Sequence, residues 1–456
     1  MIMGHDVNGQ IDFHRLGGVL RALALLASMS VTGQGIAAPP EMPWNMPAEH
    51  IGVATCAGSN CHGSARPFDD SPVLQNEYFT WQRKDAHSNA YKLLLTPESK
   101  RMAANLGIGK PEEATECLTC HSDYVPESKR GRRYSLSEGV GCEACHGGAE
   151  DYLGPHVTGN SHQENIADGL YPLVDPIDRA RLCLNCHMGS TDKPIDHRMM
   201  GAGHPPLEFE LDTFTNIQPP HFRVDADYKR RKPYAPPAKT WAIGQLIAAE
   251  QFLSGLRSDS MKAEGMFPEL VFYDCNACHH PMRPPRWSEG AGGPLGPGKV
   301  RLADAYLVMS GHVIAALAPT LAASWQSALD ALHFASQRSV GAIQSDAAAL
   351  AGLVAQALDR LRDQSISDAQ AIDLMRRIAD SGVKGDAADF TAAKQMFYGL
   401  EALLAQVGAS DKALAVRLNP PMDALFKTLD AQAQYDPSQM RAGLKQVQQI
   451  LAQKAG

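Results

Sequence analysis

The chain has no cysteine after Cys278. The ten that it does have all fall within short clusters that end in histidine, so none is left over for a disulfide or a free nucleophile. Long apolar runs are also missing. Nothing beyond residue 38 approaches the ~20 consecutive apolar residues that a bilayer-spanning helix needs. Neither sign of charge dominates, and a formal net charge of −8 over 456 residues offers no basic surface for nucleic acid. No phosphate-cradling glycine loop and no Ser/His/Asp constellation rises above background.

What is present is a repeated motif. Cys117-Leu-Thr-Cys120-His121, Cys142-Glu-Ala-Cys145-His146, Cys183-Leu-Asn-Cys186-His187 and Cys275-Asn-Ala-Cys278-His279 share the pattern Cys-x-x-Cys-His. A looser copy, Cys56-Ala-Gly-Ser-Asn-Cys61-His62, precedes them with four residues between its thiols. A random chain of this composition would hold roughly 0.008 regular copies. Structural zinc explains the paired cysteines but not the histidine after each pair. Covalent haem c explains both, because two thiols add across the vinyl groups of one haem and the adjacent imidazole becomes the proximal iron ligand. The sequence therefore predicts five covalently attached haems c, with proximal ligands His62, His121, His146, His187 and His279.

The order of the chain supports this. Residues 1–38 read as a signal peptide: His14, Arg15 and Arg21 flank a short apolar stretch, Ala22 to Val31, and Gly35-Ile36-Ala37 offers a small-residue cleavage site. Haem c is attached after export, so the expected location is periplasmic or outer-surface. Residues 39–280 are read as a pentahaem domain. Three motifs fall between residues 117 and 187 with little apolar sequence between them, so the haems themselves must form much of the core. Helices are expected at 75–95, at 97–106 and from Trp241 to Leu256. A Pro/Gly linker, 281–299, leads to an Ala-rich region, 300–456, with the periodicity of a helical bundle expected to fold without haem. The fold class is thus mainly α, with little regular sheet.

Five proximal histidines leave twelve, of which His5 and His14 lie in the signal peptide. His87, His156, His197, His204 and His312 are the candidates for distal ligation, ahead of His50, His162, His221, His280 and His333. Met188, Met199, Met200 and Met282 could also ligate, but with so many histidines they read as packing around the porphyrins.

Residues 50–280 resemble the multihaem cytochromes c of the cytochrome c-554 type. The similarity is carried by Cys56 to His62, Trp81, Asp85-Ala-His87, the run Gly-Val-Gly-Cys142-Glu-Ala-Cys145-His146-Gly, His156 and Leu182-Cys183-Leu-Asn-Cys186-His187. The resemblance implies closely stacked, mostly bis-His haems that exchange electrons with redox enzymes of inorganic nitrogen or sulfur metabolism, and it carries distal ligation onto His87 and His156. A fifth motif, the wider Cys56–Cys61 spacing and the cysteine-free helical region depart from that family. The favoured reading is a non-enzymatic electron carrier between a donor and an acceptor protein. The alternative is an oxidoreductase in which one open haem acts on a small nitrogen or sulfur compound. The helical region could cap the haems, form a homo-oligomer or dock a partner.

Overall fold

In the computed structural model of the chain, residues 39–69, 71, 73–259, 268–279, 293–296, 298–430 and 432–454 are described. The expected signal peptide, His280, Met282 and most of the expected linker lie outside them. The described residues contain helices and two isolated bridges, His50 with Arg130 and Tyr273 with Leu302, but no sheet. No helix among them is long and apolar enough to cross a membrane. The protein is mainly α: a small cytochrome-c-like domain followed by a large helical bundle.

The first part consists of short helices joined by loops. In order they are α1 (Val53–Cys56), α2 (Glu77–Lys84), α3 (Ala90–Leu94), α4 (Pro97–Leu106), α5 (Thr115–His121), α6 (Cys142–His146), α7 (Leu153–Val157) and α8 (His162–Ala167). Next come α9 (Pro176–His187), α10 (His197–Ala202), α11 (Leu211–Ile217) and α12 (Ala226–Arg231). Helix α4 matches the span read from the sequence. Thr96 caps its start by accepting from Ser99 N, Pro97 opens its first turn, and Gly107 ends it in a left-handed conformation. The single helix expected over 75–95 is broken at Asp85, which is extended (φ −87°, ψ 126°) and uses its carboxylate to cap the turn that carries His87.

The second part is the bundle: α13 (Pro237–Arg257), α14 (Cys275–Cys278), α15 (Ala305–Leu317), α16 (Ala322–Ala335), α17 (Val340–Arg362), α18 (Asp368–Lys384), α19 (Phe390–Ser410), α20 (Lys412–Lys427) and α21 (Pro437–Ala452). Pro420-Pro421 reads in the sequence as a break between a helix at 411–417 and one at 421–434. One helix, α20, runs through both prolines instead. Leu414, Leu418, Pro421, Met422 and Leu425 form one buried stripe, and packing of that stripe overrides the local cost of the prolines.

The apolar core is continuous from Ile177 to Leu451, so it begins well before residue 300. Helix α13 lies at its centre. Trp241, Leu246, Ala249, Leu253 and Leu256 are fully buried, and α13 packs on α9, α15, α17 and α19. Helix α9 contributes Ile177, Ala180 and Leu184 to this core and carries Cys183, Cys186 and His187 as well. Arg181 of α9 forks onto Glu250 of α13 through Nε (3.0 Å) and Nη2 (3.2 Å). One motif is thereby fixed to the bundle. The Cys275–His279 motif is fixed too, because Asp274 N donates to Arg301 O (2.9 Å) and Ala303 N to Phe272 O (2.9 Å).

Replacing Leu246 with Ala should destabilise the bundle by about 2–5 kcal/mol through transfer and cavity terms. The expected result is a lower urea midpoint for loss of helix by circular dichroism. An unchanged midpoint would show that α13 is not the centre of the core.

Candidate haem-binding sites

Each regular motif sits on a helical turn, which puts its two cysteines three residues apart on one face with the histidine following. None of the ten cysteines is joined in a disulfide. In the motif at Cys275, His279 N donates to Cys275 O at 2.7 Å. The looser motif preserves this bond: His62 N donates to Cys56 O at 3.1 Å, although two more residues intervene. The extra residues form a loop closed by Cys61 N and Gly63 N, which both donate to Gly58 O (2.9 Å each). Gly63 is required there, since a Cβ would collide with the Ala57 carbonyl. The first motif thus keeps the backbone bond from histidine to the first cysteine that the Cys275 motif makes.

The motifs lie against one another. The Cys56 and Cys142 thiols lie close enough to act on each other's ionisation, as do those of Cys120 and Cys186. Cys145 lies within electrostatic reach of Cys183 and Cys186.

The histidines are arranged in pairs. His62 and His156 stack with ring centroids 6.3 Å apart and an 11° angle between planes. His146 and His221 are 6.3 Å apart at 80°, His87 and His187 5.8 Å apart at 88°, and His197 and His279 6.3 Å apart at 34°. His204 acts electrostatically on His121. Four of the five proximal candidates thus have a histidine ring beside them, and His204 acts on the fifth. With metal–imidazole bonds of about 2.0 Å, and each ligating nitrogen about 1.1 Å from its ring centre, two rings on one metal have centroids about 6 Å apart. The observed spacings fit that requirement.

The proton positions fit as well. His62 Nδ1 bonds Glu77 (3.1 Å), His87 Nδ1 bonds Asp85 (2.9 Å) and His121 Nδ1 bonds Ala90 O (3.1 Å). His156 Nδ1 bonds Tyr152 O (3.1 Å) and His204 Nδ1 bonds Pro205 O (2.8 Å). Carbonyls and carboxylates only accept, so Nδ1 carries the proton in all five rings and Nε2 keeps the lone pair that a metal needs. Burial holds His146 and His187 far below the usual histidine value, to about 3 and about 4, which keeps both neutral. Burial opposes ionisation of Asp85, but hydrogen bonds from His87 and Gln218 outweigh it and bring the carboxyl down to about 2.

His312 is elsewhere. It lies on α15, where the charged groups acting on it are Asp386, Arg377 and Asp380, and its Nε2 is buried without a hydrogen-bond partner. His221, not His312, completes the ring pairs among the described residues. The sequence signal for His221 was weak: it follows Pro219-Pro220 in a loop, with no helical pattern to set it.

The segment around the third motif is held by Glu143. Its buried carboxylate accepts from Ile51 N (2.8 Å), Gly52 N (2.7 Å) and Ala149 N (2.8 Å). His50 and Asp123 join it in a cluster of potential metal-ligand atoms. Both His50 nitrogens are already engaged, by Asp123 (2.9 Å) and Pro43 O (3.3 Å), so the cluster acts as a lock rather than a cation site. Gly139 (φ 75°) brings its chain against the segment of His87. A Cβ there would lie 2.7 Å from His87 O, and Val140 N donates to that same oxygen at 3.0 Å.

Residues 55–147 match the family described as cytochrome c554 and c-prime. A cytochrome c554/c-prime-like haem-binding domain spans these residues. The match takes in the motifs at Cys56, Cys117 and Cys142, and it is consistent with a redox role. It ends short of His156 and of the motifs at Cys183 and Cys275. No curated protein and no solved structure matches the chain.

Glu143→Ala removes the acceptor of three amides and should cost about 1–3 kcal/mol. Hydrogen exchange should quicken at Ile51, Gly52 and Ala149 before the bundle is affected. Unchanged exchange at all three would show that Glu143 does not hold the segment.

Proposed function

We propose that the protein is an exported multihaem c-type cytochrome that carries electrons through five covalently attached haems, each held between two histidines. The observation that carries this reading is the set of ring pairs at 5.8–6.3 Å, each joining a motif histidine to one from elsewhere in the chain. The pairs are His62–His156, His146–His221, His187–His87 and His279–His197, with His204 assigned to His121. When bound, haem supplies a one-electron ferric/ferrous couple.

The chain's own residues do the rest. The cysteines tether the group at two points. Hydrogen bonds at Nδ1 fix ring orientation and strengthen the donor lone pair at Nε2. Two neutral imidazoles per site, with no methionine to favour the ferrous state, keep potentials low. A haem held by both imidazoles of a pair would offer no seat for substrate, which favours a carrier over an enzyme. The nearness of Cys56 to Cys142 and of Cys120 to Cys186, through which each thiol acts on the other's ionisation, supports a relay of neighbouring sites. Donor and acceptor are redox proteins outside the cytoplasm, and the helical bundle offers them a docking body.

The holoprotein should exceed the processed polypeptide by five haem masses under denaturing conditions. The reduced protein should bind no carbon monoxide. His156→Ala or His221→Ala should each open one iron and admit one equivalent. If the unmodified reduced protein already takes up a full equivalent and turns over nitrite or hydroxylamine, the carrier reading is wrong.

A further inference from the structure

After His187 the chain turns back on itself. Gly189 adopts a left-handed conformation (φ 80°), and Ser190 and Lys193 exchange backbone bonds of 3.0 and 3.2 Å in a tight turn. Gln251 of α13 donates to Gly189 O at 2.6 Å, which ties the turn to the centre of the bundle. Pro194 stiffens its exit. The outcome is an unusual placement: Lys193 is only 7% exposed, and its Nζ lies 3.2 Å from the Trp44 ring centroid and 3.5 Å from Cys186 Sγ. No carboxylate among the described residues makes an ion pair with it. Burying an ammonium without an anion is costly, and one aromatic face offsets only part of that cost. Cys186 in turn borders Cys120, and it approaches Thr119 O at 4.0 Å. Lys193 therefore sits where the Cys117–His121 and Cys183–His187 motifs meet.

We propose that Lys193 is a fixed positive charge that raises the reduction potentials of the two haems attached at these motifs. The proposal rests on the five-haem reading above. With neutral axial imidazoles, the iron–porphyrin unit goes from one net positive charge to none when it gains an electron. A nearby buried cation repels the oxidised form and leaves the reduced form almost untouched, so the equilibrium shifts towards reduction. Screening is weak there because the ammonium is out of water. Lys193 is a positioning charge and not a ligand. It lifts two neighbouring sites above the low range that bis-His ligation sets.

The test uses the full-length holoprotein. Lys193→Met keeps the length and apolar bulk of the side chain and removes the charge, whereas Lys193→Arg keeps the charge. Haem number is first read from the mass spectrum, and low-spin state from the optical spectrum. In a spectroelectrochemical titration, Lys193→Met should shift two of the five midpoint potentials downward and leave three in place. Lys193→Arg should retain all five. Five unchanged potentials in a fully loaded Lys193→Met protein overturn the proposal while leaving the five-haem reading intact. Loss of a haem from Lys193→Met, with Lys193→Arg fully loaded, assigns Lys193 to assembly and also overturns it. A wild-type protein lacking haem at either motif overturns the proposal and the five-haem reading together.

Discussion

A neutral imidazole has one N–H and one lone pair, and the chain decides which nitrogen holds which. At His62, His87, His121, His156 and His204 an oxygen that can only accept has claimed Nδ1, so the lone pair is fixed on Nε2. That constraint gives the first half of the chain its purpose. It has few apolar side chains to bury, and it spends its loops on setting imidazoles in pairs. Asp85 shows the cost. Its extended backbone interrupts a run that would otherwise be one helix, and in exchange the carboxylate orients the His87 ring.

The bundle supplies the rigidity that such loops lack. Helix α13 is buried among its neighbours and holds α9 through apolar packing and the Arg181–Glu250 fork. One face of α9 belongs to the bundle core and the helix ends in the Cys183–His187 motif. Gln251 and the bond from Asp274 N to Arg301 O extend the same support to the Lys193 turn and to the Cys275 motif. Redox sites need fixed spacing between neighbours, and a framework of long packed helices provides it better than loops alone.

The parts of this architecture governed by local rules were legible in the sequence. The motifs were plain because one spacing recurs and a histidine follows each pair of cysteines. Helix α4 was plain because a threonine cap, a proline at its start and a glycine at its end all agree. What escaped depended on contacts between distant segments. The prolines at 420 and 421 signalled a break, yet the buried stripe of α20 holds one helix through them. His312 lay on an apolar helix and His221 in a loop after two prolines, so periodicity drew attention to the first, whereas the ring beside His146 belongs to His221. The role of α13 as the shared centre was hidden as well, because composition changes near residue 281 whereas the core runs past that point.

The central claim is that every iron has two histidine ligands, and the ring angles make it measurable. Near-parallel rings, as at His62 and His156 (11°), and near-perpendicular rings, as at His146 and His221 (80°) or His87 and His187 (88°), split the iron d-orbitals differently. Electron paramagnetic resonance of the fully oxidised holoprotein should therefore show low-spin signals of two classes, rhombic and strongly axial, and no high-spin component. A high-spin signal integrating to one iron per chain would contradict the account.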